Sequence, residues 1–298
     1  MQTNWDDLRV FLAVARQKSL SAAGKVLRLD PATVGRRMQK LETALQASLF
    51  AKSPQGYALT EAGTALLARA EQAEAAMRAV VAELPEPSDQ LSGQIRVGAP
   101  DGAANYLLPQ VCAMISATHP ALEIQIVALP RVFNLSRREA DMAIAVSAPT
   151  AGRLMVQKIT DYRLHLAASA TYLDSAPPIH SVRDLRDHRM VGYIPDMIFD
   201  RELDYLADIG IKEIPLASNS VSVQLNMIRQ GGGVGVVHDF ALDAAPTVRR
   251  ILTQEICLQR AFYLIRHEDD RRNSRLSRFA EALSSGVRAE VSRLEALT

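Results

Sequence analysis

The strongest constraint on the fold of this chain is the dipeptide Asp30-Pro31, which predicts where a helix begins. An aspartate side chain can cap the first free backbone N–H groups of a helix, and proline fits the first helical position because an N–H there would have no intrahelical acceptor. Apolar residues then recur at helical spacing through Val34, Met38 and Leu41. A shorter helical pattern ends a few residues earlier, and two helices joined by so short a turn form a helix-turn-helix.

One earlier helix and a small hairpin complete this N-terminal pattern. Asn4 is a helix-capping residue, and Leu8 and Phe11 open an apolar stripe with a spacing of three to four residues. The helix before Asp30 is expected to start near Ser19 or Ser21. Residues 50–59 predict two short strands around a turn, which would be the wing of a winged helix-turn-helix.

The charge of the chain is unevenly distributed. Residues 1–60 hold nine Lys/Arg and four Asp/Glu, whereas the remainder holds 25 and 29, although the net charge is only +1. A basic head on a mildly acidic body favours a polyanion such as double-stranded DNA, and the second helix of a helix-turn-helix lies in the major groove. DNA contacts are therefore predicted for Thr33, Arg36, Arg37, Lys40, Lys52 and Ser53. The alternative for any one of them is a solvated side chain on an ordinary surface.

One long helix is predicted from about residue 60 to residue 84. Its larger apolar residues are spaced alternately four and three apart, as in the seam of a coiled coil. Helix-turn-helix proteins usually bind DNA as two-fold dimers, so the seam predicts a homodimer interface. The seam residues are Leu66, Ala70, Ala73, Met77, Val80 and Leu84. A helix packed on its own domain is the alternative.

The remaining residues, 91–298, alternate strand and helix patterns, which predicts an α/β fold with a mostly parallel sheet in two lobes. Ligands in such folds bind beyond the carboxyl ends of strands, often between lobes. Strands are predicted at 94–98, 122–129, 142–146, 162–168, 190–193, 214–217, 235–237 and 261–266, with helices around 108–115, 199–207, 223–230 and 273–297.

Membrane, secreted and metal-binding classes are disfavoured. No run approaches the roughly 18 apolar residues of a membrane span, and Asp6 and Asp7 stand where a signal peptide would be basic, so a cytoplasmic location is predicted. Cys112 and Cys257 are too far apart in sequence to suggest a disulfide framework or a metal site, and the histidines show no ligand spacing. No metal or cofactor is predicted.

Enzymes and exported solute-binding proteins are the competing functional classes. The glycine run 231–235 lacks the strand-first Gly-x-Gly-x-x-Gly context and the Lys-Ser/Thr of a phosphate loop, so it predicts a turn. No Ser/His/Asp or Cys/His set has a recognisable motif, so no enzyme is predicted. A solute-binding protein would account for residues 91–298 and would leave residues 1–84 unexplained.

Short motifs along the chain add up to a family resemblance. The head carries Ser-Leu-Ser-Ala-Ala at 19–23, helix residues Val34, Arg36, Leu41 and Glu42, and Leu-Thr-Glu-Ala-Gly at 59–63. The body carries Gly-Gln-Ile-Arg-Val-Gly at 93–98, Glu-Ala-Asp-Met-Ala-Ile at 139–144 and Gly-Gly-Val-Gly-Val at 232–236. With these residues the chain resembles the LysR-type transcriptional regulators over essentially its whole length.

The resemblance implies a winged head, a linker helix that pairs two subunits, and a two-lobed α/β effector domain of the type II periplasmic-binding-protein kind. It also implies homodimers and homotetramers, binding near promoters, RNA polymerase as a partner, and a response to a small-molecule effector. The implied boundaries are 1–60 for the DNA-binding domain, 61–90 for the dimerisation helix and hinge, and 91–298 for the effector domain. Lobe I would span about 91–167 and 266–298, and lobe II about 168–265.

The resemblance also implies further site residues. In the head these are Ser21, Ala22, Pro31, Ala32 and Gly35. Because Pro31 and Gly35 stand where the family commonly has Gln and Ser, Thr33 and Arg36 are the predicted base-contacting residues. In the cleft the implied effector-binding residues are Ala99, Pro100, Asp101, Gly102, Arg131, Ser147, Tyr193, Ser218, Asn219, Ser220 and Val221. The alternative for each cleft residue is a surface cap or turn.

The charge of the effector is predicted from the same positions. Helix N-termini after Gly102 and at Ser220–Val221, together with the charge of Arg131, favour an anion such as a carboxylate. Asp101 opposes that prediction, because its negative charge would repel an anion.

Overall fold

The computed structural model describes residues 4–53, 56–82, 90–128, 140–149, 152–211 and 213–297. The chain divides into two compact units, Met1–Pro85 and Glu86–Thr298. We call the first unit the head and the second the body. No helix among the described residues is long and apolar enough to cross a membrane.

The head contains the predicted helices, and side-chain caps fix where they begin. Asn4, Ser19 and Asp30 each accept a hydrogen bond from a backbone N–H in the first helical turn. Lys18 and Arg28, with φ values of 53° and 54°, end the first two helices in the left-handed conformation. The elements are α1 (Trp5–Gln17), α2 (Leu20–Leu27), α3 (Pro31–Leu45), β1 (Phe50–Ser53), β2 (Gly56–Leu59) and α4 (Glu61–Ala82). The winged helix-turn-helix is confirmed.

One apolar core holds the head together. Phe11, Val34, Leu41 and Leu49 are at most 1% exposed within it. The Phe11 ring lies 5.4 Å from that of Phe50, so the wing packs on α1. The buried face of α3 leaves its opposite face toward solvent, as the periodicity predicts.

The long helix α4 packs partly on the head itself, which changes the predicted dimer seam. Ala70 is 2% exposed and lies in the head core, with Leu66 packed beside it. These two residues therefore contact their own subunit, since α4 lies against α1 over its first turns. Ala73 and Met77 are exposed and remain available to a partner. The side chain of Val80 and all of Leu84 lie outside the described residues.

The body is built on one nine-stranded sheet with helices around it. Its strands are β3 (Gly93–Ala99), β4 (Leu122–Ala128), β5 (Met142–Ala145), β6 (Leu154–Ser169), β7 (Met190–Gly192), β8 (Leu216–Ala217), β9 (Val234–His238), β10 (Val248–Ile251) and β11 (Leu258–His267). Its helices are α5 (Asp101–Tyr106), α6 (Leu108–Thr118), α7 (Ala170–Ser175), α8 (Val221–Arg229) and α9 (Ser274–Glu295). The strand order is β4-β3-β5-β11-β6-β9-β7-β8, with β10 beside β6.

The sheet is mixed, so the prediction of a mostly parallel sheet is wrong. Parallel pairs at the two ends, β3 with β4 and β5, and β7 with β8 and β9, flank an antiparallel centre. In that centre β6 and β11 pair along ten residues of β11. Buried apolar runs occur in β7, which pairs in parallel, and in the second half of β6, which pairs antiparallel, so composition did not distinguish the two kinds of pairing. The first half of β6 is also largely exposed, so its sequence has no apolar run that would predict a strand there.

The segment predicted as a helix at 199–207 forms two short 3-10 turns, Arg201–Leu203 and Ala207–Ile209. Asp200 caps the first turn, which ends at Asp204 after three residues. Leu203 and Tyr205 are nevertheless buried, because the turns carry their side chains into the body core. The strand β10 was not predicted. It pairs with the buried half of β6.

Candidate nucleic-acid interface and ligand cleft

The exposed face of α3 is the candidate nucleic-acid interface. Pro31, Ala32, Arg36 and Lys40 are exposed, while Val34, Met38 and Leu41 anchor the opposite face. The guanidinium of Arg36 donates to Thr33 Oγ1 at 3.2 Å and has no acidic partner in the part of the chain that the structure describes. Arg36 therefore keeps donors free for a ligand on this face.

The other two basic residues of α3 differ from Arg36 because they contact acids of α1. Arg37 lies 3.6 Å from Asp7, and Lys40 Nζ lies 3.7 Å from the other oxygen of the same carboxylate. Asp7 is buried, with a side chain only 5% exposed, whereas Lys40 is 69% exposed. These contacts hold both cations near α1 and leave Lys40 in solvent, where phosphate could replace part of its pairing.

The other predicted interface residues are distributed around this face. Ser21 is exposed and Ala22 half-buried at the start of α2. Gly35 is half-buried, and a Cβ there would meet only Leu20 Cδ1 at 3.7 Å, an ordinary contact. The packing of the head therefore does not require a glycine at this position. The backbone of Lys52 and Ser53 forms part of β1, but their side chains lie outside the described residues.

A cleft opens in the body where parallel strands end. The β3–α5 junction, the ends of β5, β7 and β9, and the start of α8 converge on it, as expected for ligand sites at carboxyl ends of strands. The cavity has a volume of about 20 Å³, which is enough for one or two water molecules. Its described lining residues are Pro100, Asp101, Gly102, Ala103, Val146, Tyr193, Phe199, Leu203, Tyr205, Asn219, Val221, His238 and Phe262.

Asp101 occupies the position predicted for an effector carboxylate. Its Oδ2 accepts hydrogen bonds from Ser220 Oγ at 3.0 Å, from Ser222 Oγ at 2.8 Å and from the backbone N–H of Ser222 at 2.9 Å. The N-terminus of α8 is thus already neutralised by a carboxylate of the same chain. An anionic effector predicted at Ser220–Val221 would therefore meet a carboxylate that is already bound there, and the charge of the effector stays a prediction.

The rest of the cleft is aromatic and uncharged. His238 is buried between Tyr162 and Phe240, with ring centroids 5.5 and 4.9 Å away, and its Nε2 lies 3.4 Å from the hydroxyl of Tyr205. Burial lowers the pKa of His238 to about 4, against a weaker opposite effect of Asp101. Burial likewise raises the pKa of the Tyr193 and Tyr205 hydroxyls. All three side chains are therefore neutral hydrogen-bonding groups at neutral pH.

The structure places about half of the predicted cleft residues on the cavity. Pro100, Asp101, Gly102, Tyr193, Asn219 and Val221 line it. Ala99 is buried in β3, and Ser218 and Ser220 serve the α8 cap. Ser147 donates a hydrogen bond to Asp200, and Arg131 lies outside the described residues. Sequence reasoning missed Ala103, Val146, Phe199, Leu203, Tyr205, His238 and Phe262, because these residues come from separate elements that share no local motif.

Comparison with known proteins extends over both units. Residues 5–64 match the family described as bacterial regulatory helix-turn-helix protein, lysR family. Residues 88–288 match the LysR substrate binding domain. The second match alone covers more than half of the chain.

Individual relatives and solved structures agree with those matches. The HTH-type transcriptional regulator PtxR of Pseudomonas aeruginosa is 23% identical over 242 residues, which is 80% of this chain and 77% of the relative. A full-length OxyR variant from Pseudomonas aeruginosa has a TM-score of 0.74 at 18% identity, covering 97% of this chain and 95% of that chain. CrgA, a LysR-type transcriptional regulator from Neisseria meningitidis, has a TM-score of 0.60 at 22% identity, covering 96% and 99%.

Proposed function

The chain belongs to the LysR family of transcriptional regulators, with the family's helix-turn-helix and substrate-binding domains, and from this we propose how its own residues recognise DNA and effector. In our proposal α3 enters the major groove of a specific double-stranded site in the cytoplasm. Thr33 and Arg36 contact bases there. A small molecule in the body cleft changes the affinity of the heads for that site.

The observation that supports this reading of α3 is the difference between Arg36 and its basic neighbours. Arg36 is exposed and free of acids in the described part of the chain, and arginine can form two parallel hydrogen bonds to a guanine edge. Arg37 and Lys40 are already positioned by Asp7, which suits contacts to the phosphate backbone. We therefore assign base contact to Arg36 and phosphate contact to Lys40.

Replacing Arg36 with alanine is expected to weaken binding to the specific site by about 1–3 kcal/mol, with a much smaller loss on random duplex. Lys40→Ala should weaken binding to both duplexes alike and lower the slope of affinity against salt by about one ion. Fluorescence anisotropy with a selected genomic site and a shuffled duplex, at several salt concentrations, measures both effects. Arg69→Ala, an equal charge change on α4, is the control.

The assignment of Arg36 would be refuted by equal losses on the two duplexes, since a phosphate contact carries no sequence information. The proposed function itself would be refuted if the unmodified protein bound the selected and shuffled duplexes equally at every salt concentration.

The coupling between cleft and DNA requires that the effector bind one arrangement of the subunits more tightly than another. We propose that the subunits pair through the exposed part of α4, where Ala73 and Met77 lie, and that dimers associate into tetramers that contact RNA polymerase. Met77 is 48% exposed in the single chain, and its place in the four-and-three apolar spacing of α4 supports a contact with the same helix of a second subunit.

A further inference from the structure

The charged groups around the cleft limit what the effector can be. We propose that the cleft selects an uncharged, planar aromatic ligand and rejects carboxylates, because the Asp101 carboxylate of the same chain already occupies the position where an anion would bind. This inference rests on the proposed function, in which the cleft is the effector site.

The first step of the argument concerns the α8 N-terminus. Asp101 Oδ2 already receives three hydrogen bonds from Ser220 and Ser222, and Asn105 Nδ2 approaches the other oxygen at 3.3 Å. The donors that would recognise a ligand carboxylate are therefore in use. A second carboxylate nearby would also be repelled, since like charges in a partly buried site disfavour each other strongly.

The second step concerns the remaining titratable groups. The adjoining cavity, which shares Tyr193, Leu203 and Tyr205 with the cleft, is lined by a further acid, Asp204. His238 is neutral because burial keeps its pKa at about 4. No Lys or Arg belongs to the described linings of these two cavities. An anion would thus find two acids in these linings, and the nearby cation Arg260, which lies over the ring of Tyr205, is already paired with Glu202.

The third step concerns the body of the ligand. Tyr193, Tyr205, Phe199 and Phe262 line the cavity, and aromatic rings pair favourably with one another. The polar atoms of this lining carry no net charge: the Tyr193 hydroxyl, and the Tyr205 hydroxyl and His238 Nε2, which lie 3.4 Å from each other. A flat, neutral molecule with one or two polar atoms matches this lining.

The hydrogen bonds of Asp101 also hold the cleft closed. Asp101 follows β3 near one end of the strand order, and Ser222 follows β8 at the other end, so these bonds cross the cleft. The cavity of about 20 Å³ is smaller than any aromatic ring, so ligand entry requires the lining side chains to move aside while the Asp101 bonds remain in place. Removing the carboxylate should free the α8 N-terminus for an external anion.

Benzamide and benzoate test the proposal, because they share shape and differ in charge. Isothermal titration of the full chain, without DNA, should show benzamide binding at least about tenfold more tightly than benzoate. In Asp101→Ser the order should reverse, with benzoate gaining about tenfold or more. Asp174→Ser, which removes an exposed acid that lines neither cavity, should keep the preference of the unmodified protein.

The proposal is overturned if benzoate binds the unmodified protein as tightly as benzamide, if Asp101→Ser leaves the ratio unchanged, or if neither probe binds either protein. Thermal unfolding of Asp101→Ser confirms that it is folded before titration. Salt-dependent DNA binding, measured on the same preparations, separates this outcome from failure of the proposed function, because it depends on the head and needs no ligand.

Discussion

Replacing Gly63 with alanine is expected to destabilise the head by about 3 kcal/mol or more and to abolish DNA binding with it. A Cβ at position 63 would lie 2.1 Å from the carbonyl oxygen of Leu49 and 3.0 Å from Leu59 Cδ2. The first contact is with backbone, which cannot move aside as a flexible side chain can. The glycine is therefore required by a close approach of α4 to the strand that begins the wing.

Several hydrogen bonds fix that close approach. The backbone N–H of Thr60 donates to Leu49 O at 3.0 Å, and Thr60 Oγ1 donates to Ser48 O at 2.7 Å while accepting from Gly63 N at 3.0 Å. Glu42 Oε1 accepts from the backbone N–H of Leu49 at 2.6 Å. Relieving the clash would break this set, so the cost cannot be reduced by a small local shift.

The fluorescence of Trp5 measures this effect. Trp5 is the only tryptophan of the chain and lies at the start of α1, so it reports unfolding of the head alone. Gly35→Ala is the matched control, because the new Cβ would make only an ordinary van der Waals contact, with Leu20 Cδ1 at 3.7 Å. Alanine also favours a helix by about 1 kcal/mol over glycine. The control should unfold at a higher denaturant concentration than the unmodified protein. Equal midpoints for Gly63→Ala and the unmodified protein would contradict the argument.

Acidification from pH 7 to pH 5 is expected to remove about 2 kcal/mol from the stability of the body through His238 alone. Burial among aromatic rings lowers the pKa of this histidine from 6.5 to about 4. The unfolded chain therefore takes up a proton below pH 6.5 that the folded body refuses down to about pH 4. Stability is fully present above pH 6.5 and falls as the pH drops through that window.

Chemical denaturation followed by far-ultraviolet circular dichroism, at pH 7 and at pH 5, checks this expectation for the body. His238→Gln lowers stability at both pH values, but it should abolish the part of the pH dependence that this histidine carries. His180→Gln, at an exposed position, is the control and should retain it. An unchanged pH dependence in His238→Gln would show that another group is responsible.

Local signals predicted the head well. The caps Asn4, Ser19 and Asp30 act within a few residues of themselves, and Phe11 and Val34 follow helical spacing, so neither depends on distant parts of the chain. The seam of α4 was harder to assign. Its apolar residues have the spacing of a coiled coil, but Ala70 of the same stripe packs in the head core. The sequence does not show which apolar surface covers a given helix face.

The cleft was predicted in position, but most of its aromatic lining was not. The junction after β3 and the start of α8 are local features, so Pro100, Asp101 and Val221 were found. Tyr205, His238 and Phe262 were not, because each lies on an element whose neighbours depend on the sheet order. Asp101 was known to oppose an anion, but only the fold shows that it is the anion bound at α8.

The sequence by itself determined the capped helices, the basic head and the division between head and body, since these depend on interactions over a few residues or on composition. The tertiary structure decided the antiparallel pairing of β6 with β11, the closure of the cleft and the neutral state of His238. Each of these results from contacts between residues far apart in the chain. Burial and hydrogen-bond partners set the charge of a site, and they exist only once the strands have paired.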